Sequence, residues 1–350
     1  MLTLIITAVL SFLVIAFAFE AHLELKYASF VKKKRQSEAL ALSGIEVSKM
    51  LLARSGNRRI SDGDIAEEDD VWFDMVKEIQ RGLSVQRTEF LGDGEIDIRI
   101  LPEPGKRNIK ELARNREDLE ILLDMTGVPE RFWEDMWYSL QDWITPGDMP
   151  HSKGAKTSDY YGKLAPPYKS KNAELESVRE LKLVRGWMSE ALFTGGVLEE
   201  AEMFPLEATD RFKRPDRFAD TNAIFVTGFE HLLTIYGDGK VNVNSASREV
   251  LMTLPGIDDV AAGAIIEERE QLAHPEDPAS TERSPFANEA DLFSRVPGIE
   301  HIAGKVSFGE SGVYKIFVVG RVGRVERKIS TIVGTSGRQQ LTFYEWREEN

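Results

Sequence analysis

The sequence reads as an α+β protein: a long N-terminal helix, antiparallel strands within Val85–Leu101 and after Val313, and a mostly helical stretch between them. Three observations predict this. Leu2–Phe19 carries no charged side chain, and no proline interrupts the chain as far as Arg54. Apolar residues alternate with polar ones in the two strand regions, the pattern of half-buried strands. Between them, helix-length apolar periodicity recurs, punctuated by Pro and Gly.

The elements follow in order. A helix needs about 20 apolar residues to cross a bilayer core, and Leu2–Phe19 with Ala21 nearly supplies them. A cleaved signal peptide would want basic residues before the apolar run and small residues after it. Here only Met1 precedes it and Glu20-Ala21-His22 follows. A buried core helix would carry a polar stripe. A membrane-inserted helix therefore fits best. Its periodicity continues through Ala39, Leu40, Leu42, Ile45, Met50, Leu51 and Leu52, and Arg54-Ser55-Gly56-Asn57 gives a stop signal. One helix from Leu2 to about Ala53 is expected, lipid-embedded first and amphipathic after.

Gly63–Asp70 reads as an acidic loop and Val71–Gln80 as a short amphipathic helix. Val85–Phe90 and Glu95–Leu101 form a hairpin around Leu91-Gly92-Asp93-Gly94. Helices are expected at Ile109–Arg114, Asp118–Met125, Glu130–Trp143 and Glu174–Val184. Between the last two lies a long polar loop, Pro146–Lys171, of the size that is usually functional or disordered. Short strands are expected at Ile224–Thr227 and Leu232–Tyr236, and a basic patch at Arg211–Arg217. Two similar units follow, Val250–Ile257 and Leu292–Ile299, each a helix end before a Pro-Gly-Ile turn. The C-terminal strands are Val313–Gly320, Arg321–Val333 and Gln339–Arg347.

Composition bounds the function. The chain has 350 residues, enough for two or three domains. A net charge of −14 argues against a general nucleic-acid binder, whose phosphate contacts rest on Lys and Arg. With no cysteine there is neither a disulfide framework nor a thiol nucleophile. The five histidines show no metal-ligand spacing. No phosphate loop, nucleophile elbow or paired-acid motif is present, so no catalysis is expected.

Two patterns could carry chemistry. Leu251-x-x-Leu254-Pro255-Gly256-Ile257, followed by Ala261, Ala264, Ile265 and Ile266, resembles a helix-hairpin-helix (SAM-like) unit. In DNA-binding hairpins a second glycine leaves bare amides for a phosphate. Here Asp258 and Asp259 hold that place, and Glu300 holds it in the second copy. Packing or protein contact is the plainer role; the alternative is a membrane-tethered DNA receptor. The second pattern is the acidic cluster Asp142, Asp148 and Asp159, which could bind Ca²⁺ through carboxylates. Its spacing matches no EF-hand, and solvated turns capped by Asp are the plainer reading.

Several stretches, in this order, carry a family resemblance. They are Leu4-Ile5-Ile6-Thr7, Glu38-Ala39-Leu40-Ala41-Leu42-Ser43-Gly44-Ile45-Glu46, Leu140-Gln141-Asp142-Trp143-Ile144, Ser177-Val178-Arg179-Glu180-Leu181, Gly239-Lys240-Val241-Asn242-Val243-Asn244-Ser245-Ala246 and the C-terminal strands. The chain resembles the minor pseudopilin K family of type II secretion systems (general secretion pathway protein K).

That resemblance implies a pilin-like fold: the long N-terminal helix on an antiparallel sheet, with a large α-helical domain containing the helix-hairpin-helix units inserted between strands. The expected parts are 1–27 (membrane helix), 28–105 and 306–350 (pilin-like domain) and 106–305 (insertion). It also implies a tip subunit of a short periplasmic pseudopilus, bound to I- and J-type minor pseudopilins and the major pseudopilin. Such a subunit spans the inner membrane once and is processed by a prepilin peptidase. Leu4, Ile5, Leu10 and Leu13 would pack against neighbouring subunits. If Met1 stands near the mature end, Ile5 occupies the place where major pseudopilins carry Glu, which suits a subunit with nothing above it. Calcium would sit in the insertion near Asp142, Asp148 and Asp159, with Thr145-Pro146 where an acid is common. Lys32-Lys33-Lys34-Arg35 runs against this topology, since basic residues beside a span usually stay cytoplasmic.

Overall fold

The computed structural model describes residues 1–55, 71–207, 224–272, 283–336 and 340–349. The acidic loop Gly63–Asp70 and the basic patch Arg211–Arg217 lie outside these, as does most of the polar loop expected over His274–Pro285. The chain forms two compact units. The first comprises Met1–Lys77, Ser84–Leu101 and Tyr314–Asn350; the second comprises Glu78–Leu83 and Pro102–Val313. The second unit contains the stretch 106–305 and also Glu78–Leu83.

In the first unit, α1 is a single helix, Leu2–Ser55. Its described residues up to Gln36 are exposed, apart from Ala21. Beyond that point Ser37, Leu40, Ala41, Gly44, Ile45, Ser48, Leu51, Leu52 and Ser55 are buried. Their spacing of three and four residues makes one stripe along a helix face. The stripe expected from the hydrophobes alone was different: Ala39, Leu42 and Met50 are exposed. Small and hydroxyl residues replace them, because the face must lie close to a sheet. The three buried hydroxyls Ser37, Ser48 and Ser55 are satisfied locally, donating to Lys34 O at 2.9 Å, Gly44 O at 2.8 Å and Leu52 O at 2.9 Å.

The sheet has five strands, β1 (Val85–Leu91), β2 (Gly94–Pro102), β9 (Val313–Val322), β10 (Val325–Ser336) and β11 (Gln340–Glu349), in the order β1-β2-β9-β10-β11. β1 and β2 form the expected antiparallel hairpin, closed at Leu91↔Gly94 with Gly92 at φ +61°. The start of β2 meets the end of β9, where Arg321 Nη1 donates to Glu95 Oε1 at 2.7 Å. The strand break expected after Gly320 falls instead at Gly323-Arg324, with Gly323 at φ +63°. Gly320 stays extended and serves a different purpose. A Cβ on it would lie 2.2 Å from Ser37 O and 2.7 Å from Ala41 N of α1. A Cβ on Gly44 would lie 2.5 Å from Val318 Cγ1 and 2.8 Å from Ile96 Cγ2. The two glycines let helix and sheet backbones approach to near contact. Ile96, Ile98, Ile100, Tyr314, Ile316 and Val318 are buried in this unit.

The second unit contains α3 (Ile109–Leu112), α4 (Arg116–Met125), α5 (Trp133–Ile144), α6 (Ala191–Thr194), α7 (Glu200–Met203), α8 (Arg248–Met252), α9 (Asp259–Arg269) and α10 (Glu289–Arg295). The helix α2, Val71–Gln80, straddles the two units in sequence. Short two-stranded sheets pair β3 (Arg107–Asn108) with β6 (Leu233–Thr234), β4 (Gly196–Leu198) with β5 (Ile224–Val226), and β7 (Val241–Asn242) with β8 (Val306–Ser307). Asn108, Asn115, Ser247, Asp258 and Asn288 cap helix starts, each side chain accepting a backbone N–H. The helix expected over Glu174–Val184 is a single 3₁₀ segment, Val178–Leu183. Glu180 Oε2 accepts from the Glu176 amide at 3.0 Å and from Lys171 Nζ at 2.7 Å, which holds the preceding residues outside the helix. One core binds the unit together, with Trp143, Tyr161, Trp187, Phe193 and Phe229 among its largest members.

Candidate functional site

The exposed half of α1 is the first candidate. Among the described residues it is the one helix long and apolar enough to cross a membrane. Leu4, Ile5, Leu10 and Leu13 are 55–70% exposed, so all four present apolar surface to surroundings other than this chain. Surface of that extent is stable only in lipid or against other apolar helices.

The second candidate is the acidic loop after α5. Asp142 is buried at the end of that helix. Its Oδ2 accepts from the His151 amide at 3.0 Å, and its Oδ1 lies 2.5 Å from His151 Nδ1. The His151 ring stacks on Tyr138 at 5.2 Å. Gly154 is pressed against the same carboxylate, so closely that a Cβ there would stand 1.8 Å from Asp142 Oδ2. Trp143 Nε1 donates to Glu180 Oε1 at 2.7 Å and its ring meets Tyr161 edge-on at 5.1 Å. Burial pushes the Tyr168 hydroxyl, beside these rings, up to about 12.

The three acids expected as calcium ligands are not gathered into one cluster. Asp142 serves His151. Asp159 Oδ1 accepts from the Lys156 amide at 2.8 Å. Asp148 is exposed. Among the described residues no group of three or more His, Asp or Glu side chains is placed to hold a metal ion. A different group fills the loop. Lys156, 2% exposed, sends its Nζ to Asp142 O at 2.5 Å, Thr145 O at 2.6 Å and Asn172 Oδ1 at 2.7 Å. No local sequence pattern marks this lysine, because its acceptors lie 11–16 residues away. The donor set does not fit a calcium ion in addition: calcium takes about 6–8 oxygens, and an ammonium already sits among these.

The third candidate is the pair of helix-hairpin turns. Gly256 and Gly298 adopt φ +68° and +94°, as the Pro-Gly-Ile turns require. The amides that would take a phosphate are occupied by the chain itself. Asp258 Oδ1 accepts from Ala261 N at 2.8 Å, and Glu300 Oε1 accepts from Gly298 N at 3.1 Å. Hydrogen bonds from its own amide and that of Gly298 hold the Glu300 carboxyl below the ordinary carboxylate range. An anionic ligand would have to displace both carboxylates.

The segment Val241–Ala246, which carried part of the resemblance, has a structural task. Asn242 Nδ2 donates to Gly309 O at 3.1 Å, and its Oδ1 accepts from Asn244 N at 3.0 Å. Asn244 Nδ2 donates to Arg81 O at 3.1 Å and Phe286 O at 2.9 Å, while its Oδ1 accepts from Phe286 N at 2.9 Å. Both side chains are 2% exposed. Arg269, from the end of α9, donates to Val243 O at 2.6 Å and Ala246 O at 2.7 Å. Two buried amides and one guanidinium thus tie four distant backbone stretches together.

Comparison with known proteins agrees with the sequence reading. Residues 97–193 match the family model of type II secretion system protein K. The fold matches a chain of the crystal structure of the GspK-GspI-GspJ complex from the type 2 secretion system of enterotoxigenic Escherichia coli. That match has 14% identity, 95% coverage of this chain, 99% of the other and a TM-score of 0.52. No curated protein matches the sequence. The family match and the shared fold support the resemblance to minor pseudopilin K, and the long helix on a sheet is the fold expected of it.

Proposed function

We propose that this chain is a minor pseudopilin that caps the tip of a type II secretion pseudopilus and supports protein export across the outer membrane. It is held in the inner membrane by α1 with its body in the periplasm, and it acts without catalysis. Its partners are I- and J-type minor pseudopilins and, below them, the major pseudopilin; a prepilin peptidase processes its N-terminus. The observation that carries this reading is the two-part helix: an exposed apolar half continuous with a half fused to a sheet. Within Leu2–Phe19 there is no carboxylate. An acid in that run would need a partner in lipid; without one, the helix makes no demand on a subunit above it. Among the described residues the sheet ends at β11, where Phe343, Tyr344 and Trp346 are exposed and no further strand pairs with the outer edge. Lys32–Arg35, all exposed on α1, then face the periplasmic side of the head groups.

The test is co-purification. The full chain, extracted in mild detergent, is expected to retain the I- and J-type minor pseudopilins encoded with it. Recovery of the chain alone would sink the proposal. The DNA-receptor alternative predicts a salt-dependent mobility shift with duplex DNA. The occupied turn amides predict none, even at low salt.

A further inference from the structure

We propose that the Lys156 ammonium is the resident cation of the loop that follows α5, taking the place in which the family resemblance puts calcium. The inference rests on the geometry around Nζ. An ammonium has three N–H donors and no acceptor. Lys156 Nζ has three oxygen partners at 2.5–2.7 Å, so every donor is used. These oxygens come from the last turn of α5, from its C-cap residue Thr145 and from Asn172 at the far end of the loop. Carbonyl and amide oxygens converging from separated stretches are also what a hard metal ion collects.

The surroundings are built to hold the charge. Lys156 is fixed at its other end by its backbone N–H, which donates a hydrogen bond to Asp159 Oδ1. Asn172 adopts φ +54°, the one described non-glycine residue with positive φ. Its amide donates to Trp143 O at 2.8 Å, and Ser170 Oγ supports its Oδ1 at 3.3 Å. Asn tolerates the left-handed region better than most residues; here the turn aims its carbonyl at Nζ while its amide closes on α5. Burying an unpaired ammonium is strongly unfavourable, so a lysine this enclosed dictates the path of the chain around it. A divalent ion in the same shell would be repelled at close range in a medium of low dielectric. Lysine and metal are therefore mutually exclusive.

The experiment uses the full chain in detergent. Thermal unfolding is followed by near-ultraviolet circular dichroism, and amide exchange is measured over residues 142–172. Neither EDTA nor millimolar calcium chloride should change the melting temperature or the exchange. Lys156→Met, which keeps the length but removes charge and donors, should speed exchange in this stretch by about tenfold or more and leave α1 and the sheet unchanged. Lys156→Ala should regain protection when ethylammonium chloride is added. Two results would overturn the proposal: a rise in the wild-type melting temperature with calcium that EDTA reverses, or exchange in Lys156→Met equal to wild type. If Lys156→Met does not fold, the calcium and chelator arms on the unaltered chain still decide.

Discussion

The two units hold their chains together by opposite means. In the first, backbone lies against backbone: Gly44 and Gly320 remove side-chain bulk so that α1 and β9 touch, and the hydroxyls buried on the helix face bond within the helix. In the second, buried polar groups do the fastening. Lys156, Asn242, Asn244, Arg107 and Arg269 are all buried and bonded to distant partners. The difference follows from secondary structure. A helix on a sheet satisfies its own backbone and needs only shape. A unit rich in loops and short elements carries many unpaired carbonyls and amides, which must find side-chain donors and acceptors.

That contrast can be broken from either side. The largest effect is expected from Gly320→Val, whose Cβ would fall on the backbone of α1. It should cost about 3 kcal/mol, the upper range for overpacking, measured by denaturant unfolding in detergent, while exposed Ser43→Val should cost little. Next comes Asn244→Leu, which keeps the volume but removes the donor to Arg81 O and orphans both backbone groups of Phe286. A loss of about 2–3 kcal/mol is expected, and exchange should rise around residues 81, 244 and 286 before it rises in the sheet. Asp258→Ala removes a cap and should cost about 1 kcal/mol, read as a lower melting temperature with no gain of DNA binding. The smallest effect is the acid limb of Glu300. Its carboxyl is depressed below 4.5 in the folded chain, so its stabilisation is complete above that pH and is lost as pH falls through the folded value. Glu300→Gln should flatten the pH dependence of melting below about pH 4.5 only slightly, since the group is exposed.

The first unit was legible in the sequence because its signals are local. The unbroken run to Arg54, the Gly92-Asp93 turn and the alternation through Tyr314, Ile316 and Val318 each sit within one element. Even there the helix face was misplaced, since Ser37, Gly44 and Ser48 pack by being small, and counting hydrophobes overlooks that. The second unit was legible in most of its helices but not in its fasteners. Nothing near Asn244 foretells Phe286, and nothing near Lys156 foretells Asn172. Acidic residues drew attention to Asp142, Asp148 and Asp159; the group that gathers the loop is basic. The same limit hid the shortness of the Glu174–Val184 helix, whose fate depends on Lys171 and Glu180 bonding outside it.

The unbroken run of α1 has a mechanical consequence. At 1.5 Å per residue its 54 residues form a rod about 80 Å long, without a proline hinge. Its far half is wedged backbone to backbone into the sheet through Gly44 and Gly320. Such a rod has no slack: an axial shift of its oily end by one residue displaces the sheet by the same distance. Its oily end is also too apolar to rest in water. Any move of that end between apolar surroundings would therefore have to be one concerted stroke, with the sheet as the handle.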